Sequence, residues 1–177
     1  VDMLLIAQVQ WTTTELTRHK LPTDTATNFV MLKDLHGGLD GRCWMACTAA
    51  GRTCVFKFAR KHQEPEQVDN EQERLRHEAD IYDKQGIQTR LLKVGGHWAL
   101  MMPHFTPIDL NEHKKQVSDA VRSFAKLGLL HQDMKTEHVM WSSPHKKVVL
   151  IDLASVEVTL GEEEAFQTMM RALNLGD

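Results

Sequence analysis

The tightest constraint on the fold is a pair of strand-like segments, Arg42 to Thr48 and Thr53 to Ala59, separated by Ala49-Ala50-Gly51-Arg52, of which Ala49-Ala50-Gly51 suits a three-residue hairpin loop. A three-residue connection closes a hairpin when its last position turns left-handed, and Gly51 can do so because it has no Cβ to clash. That closure sets the register. Cys43 should stand opposite Lys57 and Met45 opposite Val55, so the four side chains share one face of the ribbon, whereas a two-residue turn would separate them.

The chain beyond the hairpin keeps alternating between the two periodicities. A charged helix is expected between Glu66 and Gln85, where Leu75, Ala79 and Tyr82 recur at helical spacing, Glu71 and Glu78 fall on or beside the same stripe, and Gly86 ends the run. Arg90 to Val94 and Trp98 to Met102 read as short strands joined at Gly95-Gly96, with Pro103 breaking the second. A second helix, Asn111 to Leu127, carries Val117, Val121 and Phe124 on one side. Asp109 and Glu112 resemble a capping box at its start, and Gly128 closes it. Strands at Val139 to Trp141 and Lys147 to Ile151 flank the turn Ser142-Ser143-Pro144. A last helix, Glu162 to Leu173, opens on acidic residues that suit the positive end of its dipole. The polar, threonine-rich segment from Thr12 to Thr27 defines no element. Strands with one helix, then helix with a terminal hairpin, make an α+β pattern, and 177 residues fit a single domain.

Composition excludes some classes of function. Hydrophobic residues at 42% and charged residues at 25% are ordinary for a globular protein, and no apolar run approaches the ~18 residues that span a bilayer. A formal net charge of −3 supplies no basic field for duplex binding, so nucleic acid is a partner only through a local patch. The N-terminus lacks the basic start and small-residue cleavage site of a signal peptide. The absent initiator Met points to a processed or excised domain with sequence upstream. Cys43, Cys47 and Cys54 are three in one short region, which fits a reducing, intracellular compartment. Their spacing with His36 is not that of a standard zinc site, so they read as small apolar strand residues.

The chemistry is concentrated in His131-Gln132-Asp133-Met134-Lys135-Thr136-Glu137-His138, followed after a hairpin by Ile151-Asp152-Leu153-Ala154. One hairpin is enough to return the second aspartate beside the first. Upstream stand Val55-Phe56-Lys57, the helix bearing Glu78, and His36-Gly37-Gly38-Leu39-Asp40-Gly41-Arg42-Cys43. Singly, each has a bland alternative. Lys57 would be an exposed edge-strand residue, Glu78 a solvated helix charge, Asp133 and Asp152 turn residues, and Gly38 and Gly41 a turn. Their order and spacing argue otherwise.

In that order they resemble the protein-kinase superfamily: a strand lysine, a helix glutamate, the catalytic loop H-R-D-x-K-x-x-N and the metal-binding D-F-G. The resemblance runs from about Leu35 to Ala154. It implies a reduced, two-lobed kinase-like fold in one domain, with an antiparallel N-lobe sheet and one helix over about 29–104 and a shortened helical C-lobe over 105–177. It implies ATP and Mg2+ as cofactors. Lys57 would hold the α and β phosphates with Glu78 as its partner, and Glu71 is the weaker candidate. Asp133 would be the catalytic base or orienting group, Lys135 would counter charge on the transferred phosphoryl, and Asp152 would bind the metal. Gly38 and Gly41 would match the second and third glycines of a phosphate lid. Cys43 and Val55 would cover the adenine, and Met101, Met102, Pro103 and His104 would connect the lobes, with His104 donating its N–H.

The sequence also departs from that pattern. His138 replaces the asparagine that binds a second metal, which either favours Mn2+ or makes it a structural histidine. Ala154 replaces the glycine of D-F-G, and Gln132 replaces the arginine. Too little chain follows Asp152 for an activation segment, an A-P-E motif and peptide-docking helices, so the resemblance is to reduced kinases such as RIO-type enzymes and to kinase-like domains of Crinkler effectors from oomycetes and fungi. The expected compartment is then cytoplasm or nucleus, or the host cell for an effector. Two rivals remain. One is a pseudokinase that binds nucleotide without turnover. The other is a nucleic-acid-interacting effector using Arg60, Lys61, His62, Lys114, Lys115, Lys146 and Lys147.

Overall fold

Alternation of apolar and other side chains builds the largest element, a six-stranded antiparallel sheet. It comprises β1 (Ile6–Ala7), β2 (Phe29–Asp34), β3 (Arg42–Thr48), β4 (Thr53–Phe58), β5 (Arg90–Val94) and β6 (His97–Pro103), in the order β1-β2-β3-β4-β6-β5. The computed structural model describes residues 6–7, 29–35, 42–48, 51–58, 65–94, 97–159 and 161–175. The Thr12–Thr27 segment, the glycine loop with His36, Gly38 and Gly41, Ala49-Ala50, the basic Arg60-Lys61-His62 and Gly95-Gly96 lie outside the described residues. The chain is α+β with antiparallel sheets and, among the described residues, three α-helices. No helix among them is long and apolar enough to cross a membrane.

The β3–β4 hairpin has the register its sequence calls for. Cys43 pairs with Lys57 and Met45 with Val55, and Gly51 adopts φ +73°, the left-handed conformation that closes the turn. Strand pleating then divides the sheet into two faces. One carries Phe29, Ala46, Cys54, Phe56, Leu92 and Ala99 in a continuous apolar cluster, with the Phe29 ring edge-on to Phe56 at 4.9 Å. The other carries Cys43, Met45, Val55 and Lys57, continued across β6 by Leu100 opposite Lys57 and Met102 opposite Val55. Met101, Met102 and Pro103, expected in a connector, are therefore strand residues paired to Phe56, Val55 and Cys54. The proline is tolerated because it sits at the strand's last position.

Helix α1 (Pro65–Lys84) follows β4. Among its described side chains Leu75, Glu78, Ile81 and Tyr82 are buried, while Ala79 is only half-buried, so the inward stripe passes through Glu78 rather than Ala79. The chain forms two compact units, one of Val1–Asp80 with Gln88–His104 and one of Ile81–Ile87 with Phe105–Asp177.

The second unit holds β7 (Thr106–Pro107), α2 (Lys114–Lys126), β8 (Leu129–His131), β9 (Val139–Ser142), β10 (Lys147–Leu150), β11 (Val156–Val158) and α3 (Glu162–Ala172). Strands β10-β9-β7 form one sheet and β11-β8 another. Its core sets Val117, Val121 and Phe124 of α2 with Phe166, Met169 and Met170 of α3, all buried, between packed helices. Helix α2 begins three residues later than its sequence suggests. Asp109 Oδ1 does accept the Asn111 and Glu112 amides, at 2.8 and 3.4 Å, but it caps a preceding turn, and His113 at the N-cap makes no side-chain cap bond. Ser142 is likewise drawn into β9 by pairing with Lys147, which moves the turn to 143–146 and forces Lys146 to φ +51°.

Within this unit, Gln85 acts as a substitute strand residue. Its side-chain amide donates to the Leu150 carbonyl at 3.0 Å and accepts the Leu150 N–H at 3.0 Å, while the Lys147 ammonium donates to its backbone carbonyl. Leu150 is fully buried, so Gln85→Ala leaves a donor and an acceptor of β10 without partners. The expected cost is about 2–3 kcal/mol, measured by urea unfolding.

Candidate functional site

Lys57 reaches its position through the sheet's pleat, and Glu78 reaches it through the helical stripe. Two charged residues would ordinarily avoid such positions, yet Lys57 is 6% exposed and Glu78 2%. The ammonium donates to both carboxylate oxygens, at 2.8 and 2.9 Å. Desolvating two charges is costly, and a buried pair seldom stabilises a fold more than apolar residues of similar volume would. Cys43, Val55 and Met102 lie on the same sheet face as Lys57. His104 is half-buried at the end of this unit. The side chain of Glu71 lies outside the described residues, as do Gly38 and Gly41.

The cysteines are ordinary strand residues. Pleat parity puts Cys43 and Cys54 on opposite faces of the hairpin, and burial pushes the Cys54 thiol up to about 11, so it stays protonated at neutral pH.

The second cluster is built on the loop after β8. His131 is buried, and its Nε2 lies 3.0 Å from the Ile151 carbonyl. A carbonyl only accepts, so Nε2 carries the proton and Nδ1 is a lone pair. That Nδ1 is buried without a hydrogen-bond partner, and burial pulls the His131 pKa below its ordinary value, keeping the ring neutral. Its ring stacks on His138 with centroids 5.4 Å apart. His138 Nδ1 donates in the same way to the Asp133 carbonyl at 2.7 Å, and the Ile151 N–H donates to the His138 carbonyl at 2.9 Å. The two histidines thus tie the Asp133 loop to the backbone just before Asp152.

Asp152 itself adopts a left-handed conformation, φ +56° and ψ +58°, before a single 3₁₀ turn at Leu153–Ser155. Asp tolerates this region better than most residues with a Cβ, and such backbone conformations concentrate where side-chain direction matters for function. Asp152 Oδ2 lies 3.6 Å from His138 Nε2. The Asp133 carboxylate faces solvent and receives the Lys135 ammonium at 2.8 Å. That hydrogen bond holds the Asp133 carboxyl below the usual carboxylate range and raises Lys135 above its own.

A divalent metal fits these donors in a limited way. His138 Nε2 and Asp152 Oδ2, 3.6 Å apart, are the two donor atoms nearest to one another on this loop that could share a cation. Among the described residues there is no group of three or more His, Cys, Asp or Glu placed to hold an ion. A magnesium ion bound through one carboxylate, water and substrate phosphates requires no such group.

The structure therefore gathers Lys57, Glu78, Cys43, Val55 and Met102 in the first unit, and Asp133, Lys135, His138 and Asp152 in the second. The sequence places His131 in the H-x-D stretch without assigning it a role, and the structure supplies one in tying the loop to the Ile151 carbonyl. Sequence reasoning missed Gln85, for which no local signal exists. An α+β protein with one buried lysine–glutamate pair and one aspartate–histidine–lysine loop is the class that fold and geometry define. By sequence the chain belongs to DUF5898, a family of unknown function, which matches residues 34–141 and so includes Lys57, Glu78, Asp133, Lys135 and His138. No curated protein matches it.

Proposed function

We propose that this chain is an ATP-dependent phosphotransferase of the protein-kinase-like superfamily, with a reduced two-lobed fold and Mg2+, or Mn2+, as its metal. The observation that supports this most is the Lys57–Glu78 pair, a fixed ammonium held in a buried position by both oxygens of one carboxylate. In phosphoryl transfer the protein's task is positioning and charge stabilisation, and each residue has a part in it. Lys57 holds the α and β phosphates. Cys43, Val55 and Met102 provide an apolar surface for the adenine, and His104 a backbone N–H for its edge. Asp152, with His138, holds the metal, which when bound neutralises charge on the phosphate oxygens. Asp133 stays ionised and orients the acceptor hydroxyl, and Lys135 moves from it to the transferring phosphoryl.

The test is a thermal-unfolding titration with ATP and either metal, followed by a radiolabelled-ATP turnover assay. At a ligand concentration a hundred times Kd, binding should stabilise the chain by about 2.7 kcal/mol, and turnover should follow. Absence of both effects sinks the proposal. Stabilisation without turnover identifies a pseudokinase, a second reading supported by the Lys135 ammonium already occupying Asp133.

A further inference from the structure

The second unit contains a cleft of ≈ 530 Å3 lined by none of the residues assigned to phosphoryl transfer. It lies where the end of α1, the β9–β10 hairpin and α2 meet, and its lining includes Lys84, Lys146, Lys147, Asp119, Leu127 and Trp141. Three lysines and one aspartate supply its charge, and its apolar side chains stand on both walls, Phe124 and Leu127 on one and Trp141 and Val148 on the other. The lysines cluster at the α1–hairpin junction, because Lys147 donates to the carbonyl of Gln85, the neighbour of Lys84. Lys84 and Lys146 are exposed. The opposite wall is α2, where Leu127 leaves 42% of its surface in water and Asp119 supplies one negative charge.

We propose that this cleft docks a short acidic peptide segment of a partner protein, with its carboxylates at Lys84 and Lys146 and one large aliphatic side chain against Leu127. Charge complementarity selects an anion. Asp119 selects the kind: a nucleic-acid strand carries negative charge along its whole length and would be repelled at the α2 wall, whereas a peptide can place an uncharged side chain there. The volume lies within the ~300–1,000 Å3 of ordinary ligand clefts, enough for a few side chains.

The experiment is a fluorescence-anisotropy titration of the full chain with a fluorescein-labelled peptide in which a central leucine is flanked by glutamates. Saturable binding is expected, weakened about tenfold or more by Lys84→Glu combined with Lys146→Glu and weakened also by added salt, by Leu127→Asp and by a serine in place of the leucine. Both lysines are exposed, so the variants should fold. If charge reversal lowers Tm, the Lys84→Gln and Lys146→Gln pair replaces it and should still weaken binding. No saturable binding overturns the proposal, as does equal affinity for the serine peptide. Tighter binding of a poly-dT strand that the same lysine variants abolish overturns it in favour of nucleic acid.

Discussion

Glu78→Ala should cost about 3–5 kcal/mol of folding stability, the largest effect expected of any single charged residue among the described residues. Truncation leaves the Lys57 ammonium at 6% exposure without the two oxygens that held it at 2.8 and 2.9 Å. Urea unfolding of the variant measures the loss, and a cost below about 1 kcal/mol would mean that the pair is solvated after all. The companion variant is Lys57→Met with Glu78→Leu, which removes both charges and keeps the volume. It should unfold close to the native midpoint or above it, yet lose nucleotide binding. Stability and function would then separate cleanly at one pair of positions.

Asp133→Ala should lower phosphoryl transfer by about 10²–10⁴-fold while leaving the nucleotide-induced rise in Tm intact. The carboxylate is exposed and makes no packing contribution that truncation would remove. Retained transfer would contradict its role. The pH profile carries a second signature. Lys135 holds the Asp133 carboxyl below the usual range, so this group stays ionised through neutral pH and the rate should fall only when the pH drops below that of an ordinary aspartate. Lys135→Ala removes the hydrogen bond and should move that acid limb upward.

How much of this was legible in the sequence depended on whether the signal was local. The β3–β4 register followed from one glycine, and Glu78 from its distance along a helix, because both are set by short-range geometry. On a charged helix with few apolar residues to fix its stripe, Ala79 is only half-buried, and Glu78 beside it is the residue turned fully inward. The start of α2 was missed because Asp109 satisfies a turn as readily as a helix. Strands as short as β7, β8 and β11 have no periodicity to read, and they exist only because a distant partner supplies their hydrogen bonds. The histidines at 131 and 138 belong to the same category. Their tautomers and stacking depend on carbonyls that only the folded loop brings to them.

The two-faced sheet has a consequence for natural variation. Along β4, Cys54, Phe56 and Phe58 point into the apolar cluster, while Val55 and Lys57 point to the other side. A saturation-mutagenesis library read for both abundance and activity should therefore show a two-beat rhythm down this strand. On one beat most changes empty the cell of protein; on the other, single changes at Lys57 also lower abundance by stranding the buried Glu78, and only a charge-free pair leaves the protein present but inert.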